Sequence, residues 1–184
     1  MRLRLARFLL LGLVCGQVLA AAATPPAIWL DVPFVKQEKN GCGAASIAMV
    51  MQYWRAKQGL AVDERADPEQ IQRALYSAEA RGIHASQVAH YFQQNGFQTF
   101  AFSGTWADLK EHLEKGRPLM VALKPGSASL HYVVVAGLDS DQGLVLMNDP
   151  AQRKLLRQDR ASFEREWTAA GNWTLLALPH AESL

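Results

Sequence analysis

Apolar residues recur at helical spacing directly after Gly43. Ala44, Ile47, Met51 and Trp54 follow at intervals of three, four and three, and Ala48 and Val50 widen the stripe into that of a buried helix. Asp67 followed by Pro68 joins an N-cap residue to a proline suited to a first turn, and predicts a helix through about Glu79 with Ile71, Ala74, Leu75 and Ala78 on one face. A short helix over 86–94 stops near Gly96, and Thr105 caps another that runs to Lys115 with Gly116 after it. A last helix is expected near 162–170. Between these the pattern changes to short β-branched and aromatic runs, which predict strands over 97–102, 118–124, 155–157 and 173–178. Two further runs, 130–137 and 143–149, flank a polar turn containing glycine and read as a hairpin. No internal repeat is present. The order predicts an α+β domain in which an antiparallel sheet packs against the helix after Gly43.

A hairpin symmetric about Ser140 sets Gly137 against Gly143 and His131 against Asp149. Opposed residues share one face of a sheet with Cβ atoms about 5 Å apart, close enough for an imidazole–carboxylate hydrogen bond. A β-bulge would shift this register, and Asn148–Asp149–Pro150 reads equally well as turn residues that end a strand.

The N-terminal pattern is different. Arg2, Arg4 and Arg7 precede an apolar stretch from Phe8 to about Leu19, followed by small residues with A-x-A sites around Ala20 to Ala23. Residues 1–23 are expected to form a signal peptide, 24–30 a short N-terminal segment, 31–178 the folded domain and 179–184 a tail. The apolar stretch is short for a bilayer-spanning helix, which needs about 20 residues, so an uncleaved inner-membrane anchor is the alternative. Export predicts a periplasmic or secreted protein. The formal charge of the whole chain is +2, and removing the three arginines leaves 16 Lys and Arg against 17 Asp and Glu. Nothing in that balance points to nucleic acid or an anionic membrane.

Of two cysteines, Cys15 lies in the expected signal, so only Cys42 remains in the mature chain, and no internal disulfide can form. It stands between Gly41 and Gly43 at the mouth of the buried helix, in NGCGAASIAMV. There the unpaired N–H groups and the positive end of the helix dipole favour a thiolate, and the glycines let a substrate backbone come close. A small buried hydrophobe is the plainer reading of the same residue. A thiol nucleophile needs a base. His84, His90 and His112 lie in or beside helical segments and His180 lies in the tail, whereas His131 opens a strand of the hairpin opposite a carboxylate. Asp149 would hold its tautomer and stabilise imidazolium. Gln37, five residues before Cys42, is placed to join the Cys42 N–H as an oxyanion donor. There is no HExxH, no CxxC and no GxxxxGK[ST], so neither a metal, another cofactor nor an ATP-binding domain is indicated.

The segments DVPFVKQEKNGCGAASIAMVMQYW, GIHASQVAHYFQQNGF, LEKGRPLMVAL, LHYVVVAGLD and NDPAQRK, in that order, resemble the double-glycine leader peptidases, cysteine family 39 of the papain-like superfamily. The resemblance spans about Asp31 to Leu178. It implies a papain-like fold in which Cys42 is nucleophile, His131 base, Asp149 orienting acid and Gln37 oxyanion donor. Familiar members of that family are N-terminal domains of ABC exporters that cut leader peptides after Gly-Gly. This chain has Gly41 where many of those carry an aspartate, and it looks more like free-standing exported members.

Two functions are therefore expected to compete. One is an exported cysteine peptidase acting on a peptide or protein, such as a secreted protein from a neighbouring gene, in association with an export apparatus. The other is a papain-like domain that holds a secreted peptide as a chaperone does, without cutting it. The loop KPGSASL, 124–130, leads into His131 and is flexible enough in composition to border a cleft.

Overall fold

The computed structural model describes residues 27–180. The expected signal peptide and most of the tail lie outside them. Seven strands form one antiparallel sheet: β1 (Ala27–Trp29), β2 (Phe97–Ser103), β3 (Leu119–Leu123), β4 (His131–Asp139), β5 (Leu144–Asn148), β6 (Leu156–Asp159) and β7 (Trp173–Pro179). Their spatial order is β2-β7-β3-β4-β5-β6, and β1 pairs with the far half of β4, beyond the reach of β3. The β1 strand was not expected from the sequence, being only three residues long.

Helices cover both faces. On one, α1 (Cys42–Lys57) lies against Met120, Ala122, Tyr132, Val134 and Ala136 of the sheet, with Ile71 of α2 (Pro68–Leu75) and Val88 and Phe92 of α3 (Ala85–Gln94) in the same core. On the other, Leu109 and Leu113 of α4 (Trp106–Glu114) and Phe163 and Trp167 of α5 (Arg160–Thr168) cover Val121, Val133, Val135 and Met147. Alternation along β3, and along β4 from Tyr132 to Ala136, divides their side chains between these two cores. Every residue from Gly43 to Met51 is buried, so α1 is apolar around most of its circumference and forms the centre of the first core.

Local signals set most helix ends. Asp67 Oδ1 accepts from Gln70 N–H, Thr105 and Asp108 form a reciprocal capping box, and Asp159 caps α5, which therefore begins at Arg160 rather than near Ser162. The helix expected through Glu79 ends instead at Leu75. Tyr76 is extended, Ser77 and Gly82 exchange backbone hydrogen bonds around a tight turn with Arg81 at φ +49°, and Ile83 returns to the core. A helix continued to Glu79 would have carried Ile83 away from its place against Gly43, where a Cβ would lie only 3.1 Å from the isoleucine Cβ.

The hairpin register also differs from the symmetric one. Near the turn Asp139 faces Leu144 and Gly137 faces Leu146; past a bulge between Val135 and Gly137, Val135 faces Met147 and Val134 faces Asn148. His131 does not face Asp149 directly, because β5 ends at Asn148. The bulge nonetheless decides the site. Continued without it, the turn register would set Asp149 against Val134, on the wrong side of the sheet. The extra residue restores parity and brings Asp149 to the side of Val133 and His131, diagonally across the pair. Gly137 accompanies the bulge because β1 crosses there: a Cβ on it would sit 2.5 Å from the Ile28 carbonyl oxygen.

Candidate active site

Cys42 is the first residue of α1, after the N-cap Gly41, which has no capping side chain. The first turn therefore leaves its N–H groups available at the thiol. Ala45 N–H donates to the Gly41 carbonyl, and Ser46 Oγ donates to the Tyr132 carbonyl at 3.2 Å, tying the N-terminal part of α1 to β4 one residue after His131. The helix mouth and the start of β4 meet in this way, although 89 residues separate Cys42 from His131 in sequence.

The imidazole lies between thiol and carboxylate. His131 Nε2 and Asp149 Oδ1 are 2.8 Å apart, which leaves Nδ1 for the Cys42 thiol. Burial opposes charge on all three groups, but the mutual contacts outweigh it. Burial disfavours the Cys42 thiolate; hydrogen bonds from His131 and from the backbones of Tyr132 and Gly43 nevertheless bring the thiol below its usual pKa. Burial likewise disfavours the imidazolium, yet the bond to Asp149 and then the one to Cys42 raise His131 to about 9. Asp149 is held below the usual carboxylate range despite burial by His131, the Ala151 N–H and the Gln152 amide. These contacts shift the balance toward a thiolate–imidazolium pair in which Nε2–H donates to Asp149.

Three consecutive residues at the end of β5 position the rest. Asn148, fully buried, donates from Nδ2 to the carbonyls of Val32 and Pro33 and accepts from Leu155 N–H. Asp149 holds His131, and the Pro150 carbonyl accepts from Gln37 N–H at 2.9 Å. The segment entering α1 is consequently fixed to the same loop that carries the Asp149 carboxylate. Gln37 lines the cavity with Cys42. Its Oε1 is buried without a hydrogen-bond partner, and the amide carries two N–H donors on Nε2.

All four residues singled out from the sequence, Gln37, Cys42, His131 and Asp149, border one cavity of about 930 Å³. Its walls include Pro125, Ala128, Ser129 and Leu130 of the loop leading into His131, so that loop does border the cleft. Ala80 to Ala85, between the two helices expected from the sequence and given no role there, form another part of the wall; His84 is among them. The proximity of Gly82 to Ser77 is the only local sign of its turn. His112 lies apart, against Phe102, with burial lowering its pKa.

Sequence comparison agrees with this geometry. Residues 29–175 match the Peptidase_C39 like family. The chain belongs to that family. It is a cysteine-type peptidase with the family's papain-like combination of nucleophile helix and antiparallel sheet. No curated protein matches it. Among solved structures it is similar to the peptidase domain of Streptococcus ComA, a bifunctional ABC transporter of a quorum-sensing pathway, with 19% identity, a TM-score of 0.63, and coverage of 81% of this chain and 98% of that one. It is similar also to a double glycine motif protease from an AMS/PCAT transporter, in complex with its leader peptide, with 22% identity, a TM-score of 0.62, and coverage of 83% and 94%. At these identities the likeness is one of fold.

Proposed function

We propose that this C39-like peptidase is exported and hydrolyses a peptide bond after a Gly-Gly pair in a leader or secreted substrate. The observation that carries the chemistry is the convergence of Cys42, His131, Asp149 and Gln37 on one open cavity. In this mechanism the Cys42 thiolate attacks the scissile carbonyl. The oxyanion accepts hydrogen bonds from the Cys42 N–H and Gln37 Nε2. His131 gives its proton to the leaving amine, and the peptide bond breaks to leave a thioester. His131, now neutral, takes a proton from water, which attacks the thioester and returns the thiolate. Asp149 keeps Nε2–H directed to itself and stabilises the imidazolium throughout.

Preference for Gly-Gly is supported by the structural likeness to a double glycine motif protease bound to its leader peptide. Export is supported by the basic, apolar and small-residue pattern of residues 1–23. No helix among the described residues is long and apolar enough to cross a membrane. The partner in this reading is a secreted peptide or protein, handled beside an export apparatus. The non-cleaving alternative, a chaperone-like cleft, has no need of a thiol drawn down by an imidazole. A quenched fluorescent peptide with an internal Gly-Gly, incubated with the wild type and Cys42→Ala, tests the proposal. Cleavage after the second glycine by the wild type alone is expected. Binding without cleavage would establish the holding function instead.

A further inference from the structure

The Asp149 side chain is buried, although Ala151, Gln152 and Arg153 just after it are exposed. Its two oxygens have separate partners. Oδ1 accepts from His131 Nε2 at 2.8 Å and from Ala151 N–H at 2.9 Å; Oδ2 accepts from Gln152 Nε2 at 2.7 Å. The loop is closed by Gln152 N–H to the Asp149 carbonyl at 3.0 Å and Asp149 N–H to the Arg153 carbonyl at 3.2 Å. The backbone of Gln152 is thus fixed relative to the carboxylate that its side chain grips. A carboxylate turns freely about its last torsion unless both oxygens are held. The bond on Oδ2 opposes that rotation and occupies the second oxygen at the edge of the cavity, which Asp149 and Gln152 both line.

We propose that Gln152 is a positioning residue for the reaction, locking the Asp149 carboxylate so that Oδ1 stays aimed at His131 and shielded from water. The inference rests on the Cys42/His131/Asp149 mechanism. It gives Gln152 a role through Asp149 rather than through contact with substrate. The distinction is measurable, because loss of a substrate contact raises KM, whereas loss of a positioned base lowers kcat.

Replacing the amide by a carboxyl separates the two further. When protonated, the carboxyl introduced by Gln152→Glu donates O–H to Asp149 Oδ2 as the amide does; when ionised, it repels Asp149. Placed against a carboxylate, it keeps its proton to higher pH than the usual value of about 4.3. The variant is therefore expected to work at acid pH and fail as pH rises. The other titratable or charged groups around the cavity are Cys42, His131, Tyr132, Arg81, His84, Arg157 and Glu166. All are present in the wild type too, so the ratio of variant to wild-type kcat at each pH isolates the new carboxyl.

The experiment uses the Gly-Gly peptide and the full mature chain. Gln152→Ala is expected to lower kcat about tenfold with KM within about twofold, as loss of a supporting hydrogen bond does elsewhere. For Gln152→Glu the kcat ratio is expected to lie within about threefold of unity near pH 5 and to fall at least about tenfold by pH 8. A ratio independent of pH, or an effect on KM alone, overturns the inference while leaving the mechanism standing, provided Asp149→Asn is slow. If neither the wild type nor any variant cuts the peptide, the hydrolytic reading fails and the role of Gln152 fails with it.

Discussion

At the scale of single residues, the site depends on charges that support one another. Cys42→Ala is expected to abolish cleavage while moving the thermal midpoint little, because the side chain is small, only half-buried and outside the apolar stripe of α1. A variant that unfolds would show that the thiol serves packing; retained cleavage would eliminate it as nucleophile. Asp149→Asn is expected to slow turnover by at least tens-fold, since an amide does not stabilise imidazolium and favours the wrong tautomer. The same change has a pH signature. His131 is raised to about 9 in part by the Asp149 carboxylate, so its acid form is kept below that pH and lost above it. Removing the carboxylate lowers the pKa, and the alkaline limb of the kcat profile should move to lower pH. An unchanged limb with near-normal turnover would leave a Cys42/His131 dyad. Alkylation by iodoacetamide provides a check without substrate. The wild type should react at mildly acid pH, where an ordinary thiol is protonated, and His131→Ala should lose at least about tenfold of that rate. Equal rates would show that the imidazole does not support the thiolate.

At the scale of elements, the strands bring distant residues together at a chosen end of the sheet. β4 pairs with β3 over its first half and with β1 over its last residues. His131 begins the strand, and Gly137 lies at the β1 crossing. Gly137→Ala would press a methyl group against the Ile28 carbonyl, 2.5 Å from the Cβ position, and against Trp29. Such overpacking costs about 1–3 kcal/mol, and in a domain of this size about 2–4 °C of melting temperature accompanies each kcal/mol. The melting temperature should fall accordingly, with kcat of the folded protein within about threefold of wild type because the crossing is remote from Cys42. An unaltered melting curve would mean that β1 is not held against β4. Ser46 acts in the opposite sense, fastening α1 to β4 beside Cys42 and His131.

At the scale of the molecule, the chain enters the domain at Ala27, paired with Asp139 at the turn end of β4. His131 lies eight residues away along the same strand, roughly 26 Å at the usual rise. Ala27 thus lies at the end of β4 remote from His131. Under the proposed export, the mature protein is expected to begin near Ala21 to Thr24 and to be soluble outside the cytoplasm. N-terminal sequencing by Edman degradation or mass spectrometry checks this; an intact Met1 in the membrane fraction would establish an anchor.

Local chemistry determined by itself where Cys42 would lie, because a glycine-flanked thiol ahead of an apolar stripe of helical period is a property of adjacent residues. The caps at Asp67 and Thr105 and the β-branched runs of the hairpin were legible for the same reason. The pairing of His131 with Asp149 was legible only as chemistry; its geometry was not. Both the expected and observed offsets keep the two on one side of the sheet, but the observed one does so through a bulge between Val135 and Gly137 that no local pattern announces. The wall from Ala80 to Ala85 was hidden because Ala74, Ala78 and Glu79 continue a helical pattern, and only burial of Ile83 against Gly43 shows why the helix stops. The place of the Gln37 backbone was likewise set by a distant partner, since the Pro150 carbonyl accepts from its N–H. Periodicity records which face of an element is apolar. How two elements are offset, and which polar groups meet at their ends, is decided only when the whole core packs.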